Sequence, residues 1–137
     1  RSLDIGRLDG PSGVSYFVEA VGIGIVPQML LKAKKMAKEK GALDLQKGRE
    51  LLRKLTKEAK PLDLKIMVDG KTIDGEWLGV EVLNIPYTGP GLPLAPKSEL
   101  NDGMLDVICF DKETGGKLAD WFATPAEGAP PGVTRRI

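Results

Sequence analysis

The period of the apolar residues changes twice along this chain. From Pro27 to Pro61 they recur at helical spacing, whereas the stretches on either side alternate as strands do. The helices are therefore inserted as a block between two strand-rich regions and do not alternate with strands. That order fits antiparallel β-structure better than a parallel α/β sheet. The expected class is mainly β with α+β character: an antiparallel β-sandwich-like domain carrying a two-helix insertion over about residues 27–60.

The first helix should run from Pro27, at a position where proline is tolerated, to Lys40. Met29, Leu30, Ala33, Met36 and Ala37 form its apolar stripe, and Gly41 ends it. A second helix should follow Asp44, whose carboxylate can accept from the free amides of the first turn. Lys47 stands where a capping box needs Glu or Gln. Leu45, Leu51, Leu52, Leu55 and Ala59 supply the apolar face and Pro61 the stop. Gly48 costs this helix about 1 kcal/mol relative to Ala.

Strand signals fill the rest. Val14–Val18 follows the Gly10-Pro11-Ser12-Gly13 turn, and Gly22 and Gly24 precede the first helix. From Leu62 the period is two, through Leu64, Ile66 and Val68, and Asp69-Gly70 reads as a two-residue hairpin turn. Trp77–Leu83 follows, with Leu78, Val80 and Val82 on one face. Leu105–Phe110 is apolar on both faces, as a strand between two layers would be. Residues 123–132 read as loop, and Val133–Ile137 as a strand beginning.

Composition removes several functions. The 137 residues contain no histidine, which excludes a Ser-His-Asp triad, a Cys-His pair and a His-ligated zinc within this chain. Cys109 is the single cysteine, so no internal disulfide can form, and a reducing, cytoplasmic compartment is expected. A net charge of +1 gives no overall basicity for nucleic acid. No apolar run reaches the roughly 20 residues that span a bilayer. The sequence opens Arg-Ser-Leu-Asp-Ile-Gly without signal-peptide character or Met, as a processed chain or a fragment would.

Positive charge is concentrated in the insertion. Lys32, Lys34, Lys35, Lys38 and Lys40 crowd the first helix, and Lys47 to Lys60 adds more. Such a face is either simply solvated or attracted to anionic lipid head groups, and a basic insertion between strands that are not basic favours the second. Lys32, Lys34, Lys35 and Lys38 are the candidates to face a membrane.

The densest chemistry lies between Leu83 and Asp106. Gly89-Pro90-Gly91 could present backbone amides to phosphate or simply connect strands; it has no Walker Lys-Ser/Thr ending. Asn101-Asp102-Gly103 reads first as a turn and, compatibly with that, as a magnesium-type site with the Asp102 carboxylate and main-chain carbonyls of Glu99 and Met104. Gly22-Ile23-Gly24 is only half a dinucleotide fingerprint, and Asp74-Gly75-Glu76 reads as an acidic turn. Trp77, Trp121, Tyr16, Tyr87 and Phe110 read as core or loop anchors.

Three phrases in order carry a resemblance: Ser-Tyr-Phe-Val-Glu-Ala-Val-Gly-Ile-Gly, Leu-Lys-Ile-Met-Val-Asp-Gly, and the run from Asn84 to Asp106. Together they resemble the second domain of the diacylglycerol kinase catalytic family, which includes bacterial lipid kinases and sphingosine and ceramide kinases. The resemblance implies an enzyme that moves the γ-phosphoryl of ATP onto a lipid hydroxyl. Its Gly-Gly-Asp-Gly-Thr nucleotide loop would sit on an N-terminal domain, and its general base in a later Asp-Gly-Glu. Neither is matched here, because Asp74-Gly75-Glu76 precedes the Gly/Pro loop; no catalytic residue is therefore assigned. Residues 1–137 would be the lipid-facing second domain, a fragment inactive alone.

Carried onto this sequence, the resemblance implies Mg²⁺ held by Asp102, Glu99 and Met104, and a cleft wall from Asn84, Tyr87, Gly89 and Gly91. ATP would be held mainly by the other domain. Implied partners are a lipid substrate, an anionic membrane surface and that nucleotide-binding domain, with the enzyme peripherally membrane-associated. Two departures stand out: Glu19 replaces the family's Asn, and Gly-Pro-Gly its commoner Gly-Gly-Gly. The competing reading is a non-catalytic lipid- or membrane-binding β-domain.

Overall fold

In the computed structural model, which describes residues 2–41, 43–125 and 130–137, eight strands in antiparallel sheets combine with three helices. Strand β1 (Gly6–Gly10) pairs with β2 (Gly13–Phe17) as a hairpin. Next come β3 (Ala20–Gly24), helix α1 (Ile25–Lys40) and helix α2 (Leu45–Glu58). A second hairpin, β4 (Ile66–Val68) and β5 (Lys71–Ile73), leads to β6 (Trp77–Leu83). After the long loop, β7 (Asp106–Asp111), helix α3 (Gly115–Ala123) and β8 (Val133–Arg136) complete the order. The main sheet runs β3-β6-β7-β8.

That sheet separates two apolar layers, giving the sandwich-like domain expected. On one face Leu78, Leu83, Ile108 and Phe110 pack against Ile25, Val26 and Met29 of α1, Leu52 and Leu55 of α2, and Leu118 and Phe122 of α3. On the other, Trp77, Val107 and Cys109 pack with Ile66 beneath the β4–β5 hairpin. Strand β7 is buried on both sides, as its continuous apolar run implied.

The helical insertion forms with adjusted ends. Helix α1 starts at Ile25, so Pro27 is its third residue, where the proline still gives up no helical hydrogen bond. Strand β3 runs into it without a linker: Gly24 caps the helix at φ 97°, and a Cβ there would strike the Leu78 carbonyl and Gly79. In α2 the Asp44 carboxylate accepts from the Lys47 amide at 2.8 Å, and the helix ends at Glu58, before Pro61. Asp69 and Gly70 turn the β4–β5 hairpin at φ 48° and 75°, the left-handed pair a two-residue turn requires.

Several expectations need correction. Leu30 belongs to the outer side of α1, not the buried stripe, which holds Ile25, Val26 and Met29. Leu45 of the second helix is likewise exposed. Within the expected strand from Leu62 to Val68 only Ile66–Val68 is regular, and Leu62 makes an isolated bridge to Trp77. A register shift between Trp77 and Gly79 puts Leu78 in the helical layer and Val80 and Val82 in the opposite one, so the three do not share a face. Tyr16 and Tyr87 are exposed rather than anchored.

Helix α3 and strand β1 lacked a sequence-based expectation. Ala123 belongs to α3, and residues 126–129 of the expected loop lie outside the described residues. Asp111 Oδ1 accepts from the Thr114 amide at 2.7 Å just before α3, and Phe122 docks edge-on to Phe110 with ring centroids 5.7 Å apart. Such aromatic pairs add about 1 kcal/mol beyond area burial.

Candidate functional site

The Leu83–Asp106 segment is built from both ends. At its start Asn84 is fully buried. Its backbone N–H donates to the Glu19 carbonyl at 2.8 Å, and its Nδ2 donates to the carbonyls of Asp4 (2.8 Å) and Val18 (3.0 Å). One side chain thus ties the end of β6 to the N-terminal segment and to the β2–β3 connection. Its Oδ1 has no hydrogen-bond partner among the described residues.

The Gly89-Pro90-Gly91 tip closes on itself. Thr88 and Leu92 exchange both backbone hydrogen bonds at 3.0 Å, and the Gly91 amide donates to the Gly89 carbonyl at 2.8 Å. Gly89 and Gly91 take φ values of 56° and 66°, which a Cβ would strain. Leu92, Leu94 and Ala95 anchor the loop in the core. Pro90 is buried against α2, where a Cβ on Gly48 would lie 3.0 Å from Pro90 Cβ. Arg49, one residue on, donates from Nε to the Pro90 carbonyl (3.1 Å) and from Nη2 to the Gly91 carbonyl (3.4 Å).

The bare glycine backbone therefore approaches the helices, Gly91 facing α2 and Gly89 facing α1. Gly91 faces Arg49 and Leu45, and Gly89 lies by Met29. With the Gly91 and Leu92 amides already donating inside the tip, and none on Pro90, the loop has little to offer a phosphate. Tyr87 stays exposed beside it. Of the four residues expected to line a cleft, Tyr87 and Gly89 reach the surface, while Asn84 and Gly91 hold the loop in shape.

The Asn101-Asp102-Gly103 turn is held by charge. Asp102 Oδ1 accepts from the Met104 amide at 2.9 Å, and Oδ2 pairs with the Arg136 guanidinium from β8. Arg136 Nε also lies 4.0 Å from Asp106 Oδ1. On the other side Asp4 Oδ2 accepts from the Gly103 amide at 2.7 Å, and the Asp4 amide donates to the Leu100 carbonyl at 2.8 Å.

In this arrangement protein groups already occupy the Asp102 carboxylate that was expected to hold a divalent ion. Both Asp102 oxygens are engaged, Met104 contributes its amide, and Glu99 is exposed. Among the described residues no group of three or more acidic, Cys or His side chains is placed to hold a metal. The cation at Asp102 is Arg136.

Glu81 escaped the sequence reading. It sits in β6 with only 3% of its surface exposed, opposite Gly22 of β3, whose missing side chain leaves room for the carboxyl group. Burial raises its pKa to about 7, and its Oε1 has no hydrogen-bond partner among the described residues. The available signal was a lone carboxylate inside Leu-Gly-Val-Glu-Val-Leu, where alternation gives no polar face. The four candidate lysines of α1 are all exposed, and no α1 lysine forms an ion pair among the described residues.

Comparisons with known proteins agree with this architecture. A family model described as the YegS C-terminal NAD kinase beta sandwich-like domain matches residues 20–130. A curated protein named diacylglycerol kinase from Bacillus subtilis (strain 168) is 32% identical over 114 residues, 82% of this chain and 35% of that protein. A solved structure of a diacylglycerol kinase from Bacillus anthracis str. Sterne shares the fold with a TM-score of 0.60 at 22% identity, over 89% of this chain and 39% of the other. A second structure from that strain, assigned provisionally to the diacylglycerol kinases by its name, gives a TM-score of 0.64 at 22% identity, over 88% of this chain and 40% of the other. The chain thus spans little more than a third of the length of the relatives it matches.

Proposed function

This chain belongs to the YegS C-terminal NAD kinase beta sandwich-like domain family, and on that premise we propose that it is the lipid-facing second domain of an ATP-dependent lipid kinase. The supporting observation is its alignment with the Bacillus subtilis diacylglycerol kinase over 82% of the present chain. The acceptor would be a diacylglycerol-like hydroxyl. ATP and its Mg²⁺ would be held mainly by a separate nucleotide-binding domain, which is also where phosphoryl transfer gets its charge neutralisation.

What these residues contribute in this reading is position. Tyr87 and Gly89 would form one wall of an interdomain cleft, at the tip that Arg49 clamps to α2. Asn84 and Arg136 act through other groups: one fixes where the loop leaves β6, the other fixes the turn where it enters β7. The exposed lysines of α1 belong to the same reading, as a basic surface turned to an anionic membrane.

The test is phosphorylation of diacylglycerol from ATP, with this chain alone and with a longer polypeptide that joins it to the nucleotide-binding domain. The expected result is transfer only by the longer form. Transfer by residues 1–137 alone, or by the longer form to NAD and not to lipid, would overturn the proposal.

A further inference from the structure

Leu31 is 70% exposed, more than any other large apolar side chain among the described residues. It follows the buried Met29 by two positions, roughly 200° further round the helix, and so points almost directly away from the core. Lys34, Lys35 and Lys38 fall with it inside an arc of roughly 100°. Leu30, 47% exposed, borders that arc. Lys32 does not share it, lying roughly 100° beyond Leu31 towards the flank of the buried stripe.

The chemistry of this face selects its occupant. Of the charged side chains on α1 five are lysines and one is Glu39. An apolar centre with cations around it matches the boundary of an anionic bilayer, where leucine enters the acyl region and lysines reach head-group phosphates. We propose that the Leu31 face of α1 is the membrane-binding surface, with Leu31 and Leu30 inserted and Lys34, Lys35 and Lys38 on anionic head groups. The proposal rests on the lipid-kinase reading above, and it names the face and the anchor which that reading leaves open.

Vesicle sedimentation of this chain tests it without any phosphoryl transfer, so the two readings can fail separately. Phosphatidylglycerol-containing vesicles should carry the protein down, high salt should release it, and pure phosphatidylcholine should bind weakly. Leu31→Ser should lower the partition coefficient roughly tenfold. Lys34→Gln, Lys35→Gln and Lys38→Gln should each lower it roughly fivefold, and Lys32→Gln less than any of them. All five side chains are exposed, so circular dichroism should show unchanged folds. Absence of wild-type binding, Leu31→Ser sedimenting like wild type, or a Lys32→Gln loss equal to the other three would each overturn the assignment.

Discussion

Asn84 donates from Nδ2 to the carbonyl of Asp4 at 2.8 Å, joining positions 80 residues apart in the chain. The same nitrogen reaches Val18, so one amide group holds the N-terminal segment and the β2–β3 connection to the end of β6. Replacing it by Ala removes both bonds and should cost about 2 kcal/mol. Asn84→Asp keeps the shape but turns a donor into a buried carboxylate facing two carbonyls, and should cost more. Urea denaturation of both variants measures the order; an Asp variant as stable as the Ala variant would contradict it.

Gly48→Ala is expected to destabilise α2, although Ala favours a helix by about 1 kcal/mol. The new methyl meets Pro90 at 3.0 Å, and overpacking costs about 1–3 kcal/mol. Arg49→Met should cost about 1–2 kcal/mol by leaving the Pro90 and Gly91 carbonyls without their donors. Thermal unfolding of the two variants checks both signs, and a rise in Tm for Gly48→Ala would show that the loop yields.

Glu81 predicts a pH dependence. Its folded pKa, raised to about 7 from 4.5, means the folded state binds more protons than the unfolded one between those values. The contribution of Glu81 to stability is thus fully retained below about pH 4.5 and lost as pH rises towards 7. Glu81→Gln removes this loss and should be the more stable protein at pH 8, by up to roughly 3 kcal/mol. Chemical denaturation of both proteins at pH 5 and pH 8 compares the slopes; parallel slopes would mean that Glu81 ionises freely in the fold.

The guanidinium at Asp102 predicts metal indifference. Calorimetric titration of Mg²⁺ into wild type and into Asp102→Ala should give the same trace, because Arg136 and the Met104 amide already engage the carboxylate. Arg136→Gln frees one oxygen and should introduce an Asp102-dependent heat. A wild-type heat that vanishes in Asp102→Ala would instead show that Mg²⁺ displaces the arginine.

Local signals carried most of the fold. The 3.6-residue period placed α1 and α2, apolar alternation placed β6 and a continuous apolar run placed β7, and Asp44 and Asp69-Gly70 marked a helix start and a hairpin turn because their chemistry is local. Failures came where tertiary contact decided. Gly115-Gly116 hid α3, and the β1 sequence Gly-Arg-Leu-Asp-Gly contains no β-branched residue. No periodicity reveals the register shift that sends Leu78 and Val80 to opposite layers. At the candidate site, Asp102 was recognisable as a turn carboxylate, but its partner lies 34 residues away on β8. Gly48, weak in isolation, makes sense only with Pro90 against it.

The direct passage of β3 into α1 through Gly24 has a mechanical consequence. With no linker residue between them, strand and helix form a crank rather than a hinge. A tilt imposed on α1 is handed to Gly22 on the edge strand β3, which pairs with the buried Glu81 of β6. A surface that grips the outer face of α1 would therefore orient the domain as one rigid lever, with the Gly/Pro tip at a fixed angle to that surface.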